Sequence, residues 1–203
     1  MNKNIVYISD FFLEDVCGGA ELNDCELLNM LSLNGFDIQK IKSHDLKKQI
    51  LDLNKDCFFI VSNFTNLSRE SKECLMAMNY IVYEHDHKYL RQRNPALYKN
   101  LKAPLHKIIN FYFYKNAKKI ICQSEFHKEI LVKNLNLDNI ISIGGNLWSD
   151  KTLDLLEHLS ENKKEQKCSI LDTPIKHKNM IGCVKYCLQK NKNYALIKDI
   201  EYE

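Results

Sequence analysis

Glycine is scarce in this chain. There are six in 203 residues, and none is spaced as G-x-G-x-x-G or G-x4-G-K-[ST]. The dinucleotide fingerprint and the P-loop are therefore excluded. No apolar run reaches the about 18 residues that a membrane-spanning helix needs. The N-terminal MNKNIVYISDFF has too short an apolar stretch, interrupted by Asp10, to serve as a secretory signal, and a cytoplasmic protein is expected. Cytosolic thiols are normally kept reduced, so the eight cysteines are not read as disulfides. Cys17, Cys25, Cys57, Cys74, Cys122 and Cys168 are scattered singly, and only Cys183 and Cys187 stand close, as C-x3-C without a second pair. Small buried hydrophobes fit that pattern better than zinc ligands.

What is present is an ordinary globular composition, 45% hydrophobic and 27% charged, which argues against disorder. The net charge of +3 is unevenly placed. From Lys88 to Lys133 eleven Lys and Arg stand against Glu125 and Glu129, whereas residues 1–50 carry eight acids and five lysines. One face is expected to attract anions.

Apolar runs at residues 5–9, 36–41, 57–62, 80–83, 119–123 and 140–143 read as strands. Helical spacing separates them: 20–34, stopped by Gly35; 44–54; 68–78, opened by Ser68; a long helix from Pro95 to about Asn116, kinked at Pro104; and 124–135, capped by Ser124. Strands alternating with helices imply parallel pairing through crossovers, an open Rossmann-like α/β sheet with helices on both faces. After a helix at 147–159, the charged run SENKKEQK at 160–167 reads as a linker, and 168–203 as a strand, helix and strand opening a second α/β domain. The expected division is thus 1–159, a linker, and 168–203. About 35 residues cannot build an independent core, so the chain is expected to be the front part of something longer.

In such sheets ligands bind beyond the carboxyl ends of the strands. The residues there are Ser9-Asp10 leading into the glycine loop FFLEDVCGGAE with Gly18, Gly19 and Glu21, then Ser62-Asn63-Phe64-Thr65, the cluster Glu84-His85-Asp86-His87, Gln123-Ser124-Glu125 and Gly144-Gly145-Asn146, a convergent polar set. Gly18-Gly19 has two open readings: a plain tight turn, or a backbone that lets phosphate or sugar approach a helix N-terminus. In EHDH, one histidine oriented by a neighbouring carboxylate could act as a base or hydrogen-bonding group, a metal site lacks further ligands nearby, and solvated loop polarity is the bland alternative. FYFY at 111–114 lies in the basic region, where interleaved aromatics suit nucleic acid, but a helix crossing a sheet needs an apolar face anyway.

Taken in order, these motifs resemble the retaining glycosyltransferases of the two-Rossmann-domain type, GT-B, and especially their family 4. GGAE resembles the family's first glycine loop, YEHDH its strand-end histidine, IICQSEF its late strand with a serine at the helix start, and GGNLWS the corner before the domain crossover. SILDTPIKHKN resembles the start of the nucleotide-sugar domain, with Lys178 in the place of a phosphate-binding lysine. The family's arginine shortly before that lysine is absent over 172–175, as is its Glu-x7-Glu signature.

The resemblance implies sugar transfer from a nucleotide sugar to a glycan, lipid or other acceptor, without a metal or other cofactor. It also implies that His85 and Glu84 serve catalysis, that Gly18, Gly19, Glu21, Asn63, Asp86, Ser124 and Asn146 bind substrate, and that Lys178 helps hold the diphosphate. The chain alone would be inactive. The rival readings are a non-catalytic α/β protein binding an anionic ligand or partner, and a nucleic-acid binder, which the charge asymmetry alone supports. The lysine-rich 88–133 region is also a candidate for peripheral contact with anionic membrane.

Overall fold

Six apolar runs become six strands: β1 (Asn4–Ser9), β2 (Asp37–Lys42), β3 (Phe58–Val61), β4 (Tyr80–Tyr83), β5 (Ile120–Cys122) and β6 (Ile140–Ser142). In this computed structural model, which describes residues 4–163, 167–174 and 178–198, they form one sheet in the order β2-β1-β3-β4-β5-β6. Every neighbouring pair is parallel. The chain returns through α1 (Gly19–Leu33), α2 (Lys48–Leu53), α3 (Arg69–Leu75), α4 (Phe111–Asn116) and α5 (Glu125–Leu135).

A strand alternates its side chains between the two faces of the sheet, and both faces here are apolar. Val6, Ile8, Phe59, Val61, Tyr80, Val82, Ile120 and Cys122 face a core closed by Leu51, Leu75, Phe113, Tyr114, Leu131 and Leu135 from α2 to α5. Ile5, Tyr7, Ile60 and Tyr83 face the other way, against Leu27, Leu28 and Leu31 of α1. Buried on both faces, the strands read as continuous apolar runs, as parallel strands do.

The local stops and starts have identifiable causes. At the end of α1, Gly35 takes φ +78°, with Gly35 N–H donating to Ser32 O and Phe36 N–H to Leu31 O. This left-handed glycine with its paired bonds closes the helix. Ser68 caps α3 by accepting from Ser71 N–H, and Ser124 caps α5 by accepting from His127 N–H.

The expected long helix from Pro95 to Asn116 is not formed. Single 3-10 turns at Pro95–Leu97, Lys99–Leu101 and Leu105–Lys107 precede the short α4. Asn100, Leu101 and Asn110 all have positive φ, and Leu90 and Ile108 pair as an antiparallel bridge. Pro104 has no N–H to give an i→i−4 bond, and left-handed residues cannot continue a right-handed helix.

The chain divides into two compact units, Met1–Asp150 and Lys151–Glu203. In the second, β7 (Cys168–Asp172) and β8 (Tyr194–Lys198) pair in parallel, joined by α7 (Met180–Gln189). The helix α6 (Asp150–Ser160) precedes them and buries none of its side chains. Residues 164–166 of the expected linker, and 175–177 of SILDTPIKHKN, lie outside the described residues. Among the described residues no helix is long and apolar enough to cross a membrane.

Candidate functional site

Between β1 and β3 the strand order reverses direction, so the loops leaving their carboxyl ends diverge and open a crevice. Asp10, directly after β1, holds three loops together across it. Its carboxylate accepts from the Ser43 hydroxyl beyond β2, from the Thr65 hydroxyl and Thr65 N–H (2.8 Å), and from Asn66 N–H (3.0 Å) beyond β3. Burial opposes ionisation, yet these bonds outweigh it and lower the Asp10 pKa.

Period two also decides the fate of EHDH. Tyr83 faces α1, so Glu84 turns to the opposite face and His85 returns to the α1 side. There His85 meets Asp24, which is buried in the middle of α1. Asp24 Oδ1 lies 2.8 Å from His85 Nε2 and accepts from Ser62 Oγ at 2.8 Å, while Oδ2 accepts from Ser9 Oγ at 3.4 Å. On the other side of the ring Gln123 Nε2 stands 2.8 Å from His85 Nδ1. A carboxylate only accepts, so Nε2 donates to Asp24, and the Gln123 amide engages Nδ1. Tyr83 packs edge-on against the imidazole at 4.7 Å. Both ring nitrogens are therefore engaged within the protein where His85 borders the crevice. The carboxylate that orients His85 is Asp24, and Glu84 is not part of that arrangement.

Glu84 is fully buried on the α4 side. It accepts from the Tyr114 hydroxyl, from Asp86 N–H at 3.0 Å and from Lys88 N–H at 3.2 Å, with Lys88 Nζ at 3.8 Å. Burial pushes its pKa up, but the lysine charge and the tyrosine hydroxyl win and hold it at about 2. Lys88, itself buried, forms a closer ion pair with Asp86 at 2.6 Å. The left-handed backbone at His87 (φ +59°) swings that ring away from His85 and onto His127 of α5, centroids 4.4 Å apart. Burial lowers both pKa values, that of His127 to about 4 with His87 contributing. Among the described residues no group of three His, Cys, Asp or Glu side chains could hold a metal ion.

The two glycines of the loop differ. Gly18 is the N-cap of α1 at φ −124°, and a Cβ there would collide with the Glu21 carboxylate, which folds back over it. Glu21 in turn accepts from Asn63 Nδ2 at 3.3 Å. A Cβ on Gly19 would meet nothing within 4 Å, because Gly19 borders a cavity of about 580 Å³.

Gly19, Glu21, Asn63, His85, Asp86 and Asn146 line that cavity together, drawn from the ends of β1, β3, β4 and β6. Gly18 lies one residue outside it. Ser124 is spent on capping α5 and is absent from the lining, and Lys178 is exposed in the second unit. Asp10, Thr65 and Gln123, expected at the strand ends, also lie on the cavity wall, whereas sequence reasoning missed Phe11 and Arg93 there and Asp24 behind it. Phe11 is 45% exposed, and Arg93 binds Asp86 at 2.9 Å. Asp24 had a readable signal: it stands on the same helical stripe as Leu28 and Leu31, a charge on the buried face.

Planar amides, carboxylates and one guanidinium around an exposed aromatic ring offer what a polyhydroxylated ligand requires: directional hydrogen bonds at its rim and an apolar face to stack on. Glu21 and Asp86 on the wall disfavour an anion.

No family model and no curated protein sequence matches the chain. Among solved structures, it is similar to an α-glucosyltransferase in complex with UDP and a 13-mer DNA containing an HMU base. The TM-score is 0.52 at 13% identity, over 92% of this chain and 53% of that one. It is likewise similar to an α-glucosyltransferase in complex with UDP, at TM-score 0.52 and 11% identity, over 98% of this chain and 59% of that one. The chain thus spans between half and three-fifths of the length of these structures. At such identities the likeness establishes the fold alone: an α/β chain with a six-stranded parallel sheet flanked by helices, of the kind found in these GT-B-fold neighbours, and a second, smaller α/β unit after it.

Proposed function

We propose that this chain is the acceptor-side part of a retaining glycosyltransferase, related to family 4, that moves a sugar from a nucleotide-sugar donor to a hydroxyl of a glycan, lipid or other acceptor. The observation that carries this reading is the cavity at the switch point, whose wall joins the exposed Phe11 ring to Asn63, Asp86, Arg93, Gln123 and Asn146. The shared fold with two UDP-bound α-glucosyltransferases supports it.

In this reading the cavity receives the hydroxylated acceptor. Asn63 and Asn146 orient it, Phe11 stacks on it, and His85 braces the amide of Gln123 instead of exchanging protons itself. Lys178 contributes charge toward a donor diphosphate, whose departure needs electrostatic stabilisation more than covalent help. The reading as a binder of anions through the glycine loop is less well supported, since Glu21 occupies the first turn of α1 and Asp86 faces it.

Saturation-transfer NMR on the 203-residue chain with neutral oligosaccharides tests the reading. Saccharide signals that vanish in Asn63→Ala, at an unchanged melting temperature, are expected. Absence of any saccharide binding by the folded chain removes it.

A further inference from the structure

Between Lys88 and Ser124 the chain contains nine Lys and Arg and not a single Asp or Glu. Within that stretch the three 3-10 turns over 95–107 form a strap on the surface of the first unit, anchored to the last turn of α5. Asn134 donates to Leu101 O at 2.8 Å and accepts from Ala103 N–H at 2.8 Å, and Lys133 Nζ donates to Asn100 O at 3.2 Å. These bonds hold Asn100 and Leu101 at φ +55° and +59°, two consecutive non-glycine residues in the left-handed region. Such strain persists only where surroundings over-determine it.

The strap's outward side has two components. Lys99, Lys102 and Lys133 surround a depression of about 660 Å³ with no carboxylate in its lining. Leu97 and Leu105, in the turns that bracket these lysines, are 62% and 86% exposed.

We infer that this strap, with the end of α5, is a docking surface for an anionic lipid bilayer. Charge complementarity commits it to that occupant. Cations of one sign draw the surface to acidic headgroups within a Debye length, while the flanking aliphatic side chains enter the headgroup and acyl boundary. A nucleic acid would supply the same phosphates, but base recognition without sequence reading uses aromatic stacking. The one aromatic in the strap, Tyr98, is half-buried and donates to Gln92 at 2.7 Å. Exposed leucines gain nothing on a phosphate backbone and gain on burial in lipid.

Co-sedimentation of the full chain with vesicles of phosphatidylglycerol alone or phosphatidylcholine alone tests the inference. Binding to the anionic vesicles only is expected, weakening as salt is added. Lys99→Glu, Lys102→Glu and Lys133→Glu together should lower the partition by at least about a hundredfold, at roughly fivefold for each of the three lysine charges lost near the surface, with the added carboxylates lowering it further. Leu97→Ser with Leu105→Ser should lower it by about tenfold, from the apolar area lost. All five side chains are exposed, and circular dichroism melting checks each variant, with Lys99→Gln and Lys102→Gln as the milder replacement if the reversal unfolds. Equal binding to both vesicles, or anionic binding indifferent to the lysines, overturns the inference. So does tighter binding to a DNA duplex that ignores the two leucines, which would assign the surface to nucleic acid.

Discussion

Gly18 and Gly19 are neighbours with different reasons to be glycine. Gly18 leaves room for the Glu21 carboxylate, and Gly19 leaves room for whatever enters the cavity. The Gly18→Ala methyl should displace a flexible side chain, not backbone, so its expected effect is a shifted Asn63 side-chain amide resonance at nearly unchanged stability. The Gly19→Ala methyl meets empty space at a helical position, so it should stabilise the fold by about 0.4–1 kcal/mol through the unfolded chain, leave the Asn63 resonance in place, and weaken saccharide binding. Identical behaviour of the two variants in NMR spectra and thermal melts would contradict this division. Much of the site was legible at this scale, because strand-end polar residues announce themselves between apolar runs. The partners of His85 were less so. Asp24 is 61 residues away in sequence, and only the packing of α1 on the sheet brings the two together.

Helix boundaries follow the side chains that satisfy free N–H and C=O groups. Ser124 was expected to bind substrate as well as to cap α5, and its hydroxyl is taken by His127 N–H at 3.1 Å. Ser124→Ala should cost about 1 kcal/mol, the usual loss for an N-cap hydroxyl, and Ser124→Asp should restore it; urea unfolding of the three forms measures both. The strands and capped helices were readable because their periodicity and punctuation agree. The stretch from Pro95 to Lys107 was not, because helix-compatible side chains there are overruled by long-range bonds. Asn134 claims Leu101 O and Ala103 N–H, and Arg91 N–H bonds Lys107 O at 3.2 Å. No local pattern of residues encodes partners more than 30 positions away.

Across the whole molecule, the buried charges beneath the crevice make stability depend on pH in two stages. His87 and His127 are held below the ordinary 6.5 by burial, His127 at about 4, so the unfolded chain binds more protons than the folded one between those values. Their contribution is complete above pH 6.5 and is lost as pH falls toward 4. Glu84, held at about 2 against an ordinary 4.5, adds a second loss as pH falls from 4.5 toward 2, in the same range as the lowered Asp10. Urea midpoints should fall in both windows, and His127→Gln should flatten the upper one only. A midpoint constant from pH 6.5 to 4 in the parent chain would refute the first stage.

The order β2-β1-β3-β4-β5-β6 has a consequence for biosynthesis. After β3, each new strand joins the edge of the one made just before it, always on the same side, so the sheet is laid down in the order of translation. The stretch between Tyr83 and Ile120 is the longest wait in that assembly. At ~5–20 residues per second, the free edge of β4 stands bare for several seconds while the lysine-rich strap emerges, and its missing acids give the nascent chain a run of like charges at the moment when an uncovered strand most needs to be kept from pairing with another chain.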